Sequence, residues 1–200
     1  MSENHPIILA SKSPSRNSLM TNAGLIFQQQ TSDVDEDIIK QTFLKDGEIS
    51  DLALILAQAK AMTVSKVFPH AYVIGADQTL LFEGKVYDKP ATSEEARDQL
   101  LALRGKQHQL ETAVSIVRNQ EILWDCSDPS YLTMRDFSPE FLGRYLAAEG
   151  DNVKTSVGGY KLEGLGLQLF KKIDGDFFSI LGLPMLKLLS FMRKQNLIET

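Results

Sequence analysis

Seven polar residues interrupt otherwise apolar stretches of the 200-residue chain: Ser11, Arg16, Glu36, Lys60, Asp77, Lys89 and Glu163. Three are cationic, three are carboxylates and one is a hydroxyl. The cations suit a polyphosphate, since an arginine can grip phosphate oxygens through two N–H groups at once and a lysine acts as a point charge. The carboxylates suit a hard cation such as Mg2+ and the deprotonation of water. Together they point to metal-assisted hydrolysis of a nucleotide, although each charge alone reads as ordinary surface. No Walker A sequence occurs, which excludes a P-loop ATPase, and no dinucleotide fingerprint follows the first strand. His5, His70 and His108 form no zinc-binding pair and read as structural or surface residues. The single cysteine, Cys126, excludes an intramolecular disulfide and a multi-cysteine zinc site, and reads as a small buried or half-buried side chain.

The elements that must position these groups follow from the apolar pattern. Ile7-Ile8-Leu9-Ala10 reads as a buried strand. Ser13 then caps a helix with Pro14 at its first position, Leu19, Met20 and Ala23 on its inner face and Gly24 as its stop. Ser11, Ser13 and Arg16 are thereby placed near a helix N-terminus, which favours anions. Residues 25–31 read as extended. The acidic run Asp33-Val34-Asp35-Glu36-Asp37 reads either as a solvated loop or helix start, or as ligands for a hard cation. Residues 52–67 read as a helix with apolar Leu52, Ile55, Leu56, Ala59 and Met62, and Lys60 beside that stripe. Residues 72–77 read as a buried strand ending in Asp77, the carboxyl edge where catalytic groups sit in open α/β sheets, with extended chain continuing to Phe82.

Glu83-Gly84-Lys85 reads as a hairpin turn, and Pro90 biases Lys89 towards an extended conformation. A helix over 93–103 is capped by Ser93 with an incomplete capping box. Two long strands, 108–117 and 122–134, flank a turn at Asn119-Gln120, and a helix over 138–148 starts at Ser138-Pro139. A glycine-rich loop over 158–166, a strand over 167–173 and an amphipathic helix over 184–195 complete the chain. The alternation predicts an α/β fold with a mixed, strongly curved central sheet flanked by helices, in two lobes around a cleft, with residues 135–150 in the second lobe.

Composition agrees. Hydrophobic residues make up 43% and charged ones 24%, as in a globular protein. At this length roughly 70% of the unfolded surface is buried on folding, enough for one domain over residues 1–200. With 21 basic against 26 acidic side chains, the net charge of -5 argues against holding duplex nucleic acid by bulk electrostatics. Residues 1–5 lack the pattern of a signal peptide and no run approaches a membrane span, so a soluble cytoplasmic protein with no membrane partner is expected.

Several motifs, in order along nearly the whole chain, resemble those of the Maf family of nucleoside triphosphate pyrophosphatases. They are Leu9-Ala10-Ser11-Lys12-Ser13-Pro14-Ser15-Arg16, Asp33-Val34-Asp35-Glu36, Ala57-Gln58-Ala59-Lys60-Ala61, Ile74-Gly75-Ala76-Asp77-Gln78, Asp88-Lys89-Pro90, residues 158–166, Gly175-Asp176 and Leu181-Gly182-Leu183-Pro184. Each is modestly specific, and the ordered set is highly specific. The resemblance implies an inosine-triphosphatase-like fold and cleavage of non-standard or modified nucleotides between the α and β phosphates. The products are a nucleoside monophosphate and pyrophosphate, in a house-cleaning role. It also implies a divalent metal, Mg2+ or Mn2+, and a homodimer. Carried over by motif, Asp77 is the general base, Glu36 and Asp77 hold the metal, and Arg16, Lys60 and Lys89 bind the triphosphate with Ser11 assisting.

Three positions depart from the family's pattern. Ser15 replaces the first arginine of its pair, which weakens the phosphate grip or shifts it to Lys12. Asp88 replaces a glycine, and Glu163 a glutamine. An ionised glutamate only accepts hydrogen bonds, suiting the N1–H and amino donors of guanine and the charge of a methylated, cationic ring. Glu163 thus leans the expectation towards 7-methyl-GTP, and Gln78, where many members of the family have threonine, resembles the branch that acts on that nucleotide. Two other classes stay open at this point: a non-catalytic regulator of septum formation and cell division, and a nucleotide sensor without turnover.

Overall fold

The computed structural model describes residues 6–45 and 47–199. Met1–His5, with the expectations placed on that segment and on His5, lie outside the described residues. The described residues form seven strands and the helices around them: β1 (Ile7–Ala10), α1 (Pro14–Asn22), β2 (Gln28–Gln29), α2 (Glu36–Phe43), α3 (Leu52–Val67), β3 (Tyr72–Phe82), β4 (Lys85–Tyr87), α4 (Ser93–Leu103), β5 (Gln107–Arg118), β6 (Glu121–Met134), α5 (Pro139–Glu149), β7 (Phe170–Asp174), α6 (Phe177–Ile180) and α7 (Met185–Lys194). The strands make one mixed sheet in the order β2-β1-β3-β5-β6-β7, with β4 paired to β3. β1 runs parallel to both β2 and β3, while β3–β4 and β6–β7 are antiparallel. No helix among the described residues is long and apolar enough to cross a membrane.

The chain divides into two compact units, one of residues 1–78, 112–128 and 176–200, the other of 79–111 and 129–175. In the first unit the two-residue period of the strands sorts the core. Ile7 and Leu9 of β1 and Tyr72 and Ile74 of β3 pack with Met20 of α1 and Leu188 and Met192 of α7. Ile8, Ala10 and Val73 pack on the other side with Ala61 and Val64 of α3. In the second unit α4 and α5 accompany β4 and β7, and the glycine-rich segment 158–166 is folded into 3-10 turns rather than open loop. Helix α5 lies in this unit, as expected for residues 135–150.

Several local expectations shift. Thr92, not Ser93, caps α4: its hydroxyl accepts from the Glu95 N–H at 3.1 Å, and Glu95 in turn accepts from the Ala91 N–H. Moving the cap back one residue places Glu95 where a capping box needs it. Only Gln28–Gln29 of the segment 25–31 pairs as a strand, since β1 offers it just two partners. Ala23 is exposed at the end of α1. β7 begins at Phe170 because residues 165–169 coil into a 3-10 turn.

Candidate active site

β1 ends at Ala10, paired with Gly75, so β3 outruns its neighbour and Asp77 lies two residues beyond the last shared rung. Asp77 was expected at a strand end; it sits inside an eleven-residue strand whose neighbour on one side, β1, has stopped. The bend after β1 is occupied by Ser11 and the start of α1. Ser13 caps that helix by accepting from the Arg16 N–H at 3.4 Å, and Pro14 presets its first turn. Arg16 and Met20, one turn apart, form its buried face.

Alternation along β3 puts Asp77 on the same side as Val73 and Gly75, facing α3. That helix was expected to bury Leu52, Ile55, Leu56, Ala59 and Met62 with Lys60 alongside. It is apolar nearly all round, and the face turned inward is instead Ala53, Ala57, Lys60, Ala61 and Val64 along with Leu52 and Leu56. Small residues bring its backbone against β3. A Cβ on Gly75 would strike the Ala57 carbonyl and lie 2.8 Å from the Ala61 nitrogen. This close approach delivers the Lys60 ammonium to Asp77 Oδ1.

Lys60 also reaches Glu36 Oε1 at 2.9 Å. The acidic run therefore divides its labour. Asp35 caps α2, with Oδ1 accepting from the Ile38 N–H at 3.1 Å. Asp33 and Asp37 are exposed, and Glu36 at the first helical position turns to Lys60. Lys60 and Asp77 are buried, whereas the Glu36 side chain is 43% exposed.

Arg16 is held from three sides. Nε donates to the Gly182 carbonyl at 2.8 Å, and Nη1 donates to the Ala76 carbonyl at 2.9 Å and to Ser11 Oγ at 3.3 Å. Burial pulls the Arg16 guanidinium below its ordinary pKa, and the charges of Asp77 and Glu36 oppose that pull. Ser11 Oγ also accepts from the Ser13 N–H at 3.2 Å. Gly182, whose φ of 110° suits glycine, approaches so closely that a Cβ there would lie 3.4 Å from Arg16 Nε.

Ser11, Arg16, Glu36, Lys60 and Asp77 are thus gathered in the first unit. Lys89 and Glu163 belong to the second, Lys89 on the exposed segment between β4 and α4 and Glu163 exposed in the 158–166 segment. That segment is pinned by Tyr145 Oη donating to the Gly159 carbonyl at 3.0 Å and by a 2.7 Å hydrogen bond between Tyr160 Oη and His108 Nε2. Burial lowers the pKa of His108 to about 4 and raises those of both tyrosines, so all three rings are neutral near pH 7. Lys12 and Ser15 flank Arg16 as exposed and half-buried side chains.

Sequence reasoning missed the groups that orient Gln78. Its Nε2 donates to Thr112 Oγ1 at 2.8 Å and faces the Ser179 and Ile180 carbonyls at 3.0 Å, which fixes its amide nitrogen inward. Ser179 is in turn bonded to Asp128 and Asp176, and Lys187 reaches Asp128 at 2.8 Å. Two of the three acceptors are main-chain carbonyls, which carry no residue-type signal. Asp176, a helix cap two residues beyond the strand β7, is the member of this network that the Gly175-Asp176 motif already marked.

The donor set fits a divalent cation in one respect. Two carboxylates from different elements converge on one cationic point, and Mg2+ commonly takes one or two carboxylates and completes its shell with water and substrate phosphates.

The family model described as Maf-like protein matches residues 6–195. A 7-methyl-GTP pyrophosphatase of Brucella abortus is 45% identical over 194 residues, covering 96% of this chain and 98% of that protein. One of Mesorhizobium japonicum is 47% identical over 195 residues, with the same coverage of 96% and 98%. A nucleoside triphosphate pyrophosphatase of Bradyrhizobium diazoefficiens is 46% identical over 193 residues, covering 96% and 95%. With the motifs from Ser11 to Pro184 in order and matched over nearly its whole length, the chain belongs to the family of Maf-like proteins.

Proposed function

We propose that the protein is a nucleoside triphosphate pyrophosphatase that cleaves modified nucleotides in the cytoplasmic pool, with 7-methyl-GTP as its preferred substrate. Water attacks the α-phosphorus, the bond from that phosphorus to the α–β bridging oxygen breaks, and pyrophosphate leaves a nucleoside monophosphate behind. Asp77 accepts the water proton through Oδ2, the oxygen opposite the one that holds Lys60. Arg16 contributes Nη2, because its Nε and Nη1 already serve main-chain carbonyls and Ser11. It therefore acts as a fixed positive charge with one free nitrogen rather than as a two-nitrogen fork. Lys60 and Lys89 add charge to the triphosphate grip. Glu36 and Asp77 would hold a divalent metal, which when bound offsets phosphate charge and stabilises the leaving pyrophosphate.

The observation that carries this reading is the ion cluster of buried Asp77 and Lys60 with half-exposed Glu36, beside a rigidly held Arg16, in a chain whose relatives are named for this activity. For base preference, the support is Glu163, an acceptor-only side chain suited to guanine donors and to the positive charge of a 7-methylated ring. The test is pyrophosphate release from the standard triphosphates, 7-methyl-GTP and modified pyrimidine triphosphates, with Mg2+ or Mn2+. Release highest with 7-methyl-GTP is expected. No release from any of them by folded protein would replace this reading with a binding or regulatory role.

A further inference from the structure

The Lys60 ammonium sits where the two proposed metal ligands converge, accepted by Asp77 Oδ1 and by Glu36 Oε1 at 2.9 Å. Its side chain is 9% exposed and rises from the inward face of the sixteen-residue α3. We infer that Lys60 is an internal counter-cation: it fills the divalent-cation position in the nucleotide-free protein and passes to the phosphates when metal and nucleotide arrive. This rests on the reading that Glu36 and Asp77 hold the metal.

Charge balance supports the exchange. Asp77 and Glu36 carry two negative charges, Lys60 and Arg16 two positive ones, and Arg16 is close enough to feel both carboxylates. The set is therefore formally neutral without any metal. A divalent cation added to it would meet two buried cations at close range, an unfavourable arrangement in a low-dielectric setting. One of the two must give way, and the structure distinguishes them. Arg16 is tied through Nε and Nη1 to two main-chain carbonyls on separate segments, so it cannot leave without orphaning both. Lys60 is bound only through its terminal ammonium, on a flexible four-carbon stem that can swing while its helix stays in place. A triphosphate supplies the negative charge that receives it. The exchange makes the metal bind weakly by itself and well in the presence of a polyphosphate.

The test is Mn2+ binding to the metal-free, nucleotide-free full-length protein, followed by electron paramagnetic resonance and calorimetry. Wild type is compared with Lys60→Met, Lys60→Gln, Glu36→Gln and Asp77→Asn. Removing the internal competitor is expected to tighten Mn2+ binding about tenfold in both Lys60 variants. Glu36→Gln and Asp77→Asn should weaken it. The Lys60 variants should melt below wild type without metal and gain more in melting temperature on adding Mn2+. Lys60→Gln, which can still bridge two acceptors, serves if the methionine variant does not fold. If Mn2+ binds the Lys60 variants no more tightly than wild type, while the carboxylate variants weaken it, the exchange is wrong and the metal reading stands. If the carboxylate variants leave Mn2+ binding unchanged, or no form binds it, the metal reading fails and the exchange falls with it.

Discussion

Arg16 Nε donates to the main-chain carbonyl of Gly182, 2.8 Å away in space and 166 residues along the chain. The bond joins the first helix to the turn before the last one, and with the Ala76 carbonyl it makes Arg16 a brace as well as a charge. Arg16→Lys keeps the charge but cannot span both carbonyls. Leaving two buried acceptors short is expected to cost about 2–4 kcal/mol, read as a lowered urea midpoint with unchanged slope. A variant as stable as wild type would show that the brace is not needed.

Asp77→Asn keeps the shape of the side chain and can still accept from Lys60, so the fold should persist. Loss of the proposed base is expected to lower kcat for pyrophosphate release by about 10²–10⁴-fold. Turnover within a few-fold of wild type would remove Asp77 from the chemistry.

Glu163→Gln replaces an acceptor-only group by one that also donates. The ratio of kcat/KM for 7-methyl-GTP over a pyrimidine triphosphate should fall by about tenfold or more, the worth of one charge-assisted hydrogen bond. Unchanged relative rates over the substrate panel would show that base choice is made elsewhere.

Gly75→Ala tests the packing that delivers Lys60 to Asp77. The new methyl would overlap the Ala57 carbonyl and approach Ala61 Cβ to 2.9 Å, backbone and core atoms that cannot swing aside. A loss of about 1–3 kcal/mol in stability is expected, with a fall in kcat as α3 is pushed from the strand. Thermal unfolding and turnover measured on one preparation decide it, and unaltered values would mean the gap between α3 and β3 is slack.

His108 gives stability a pH dependence of known sign. Its folded pKa of about 4 lies below the unfolded value near 6.5, because burial disfavours the charged ring. The unfolded chain therefore binds the proton more readily. The contribution is complete above the unfolded pKa and is lost as the pH falls from there towards the folded one. About 2 kcal/mol should disappear between pH 7 and pH 5 in wild type, and most of that slope should be missing in His108→Phe. Equal slopes in the two proteins would place the titration on other groups.

Much of this protein was settled by local rules acting on its sequence. Four consecutive apolar residues made β1 legible, Ser13-Pro14 the start of α1, Ser138-Pro139 that of α5, and Asn119-Gln120 the turn between the two longest strands, where both residues take positive φ. Residue type marked the cations and carboxylates as candidates, and the ordered motifs around them, rather than any single charge, set them apart from ordinary surface. Tertiary structure decided which of them meet. α3 is apolar on nearly every side, so its sequence has no periodicity strong enough to say that Lys60 faces inward; contact with Gly75 sets its rotation. The partners of Arg16 and Gln78 are largely main-chain carbonyls supplied by distant turns, and every residue has one. Such acceptors acquire meaning only once the chain has brought them into place.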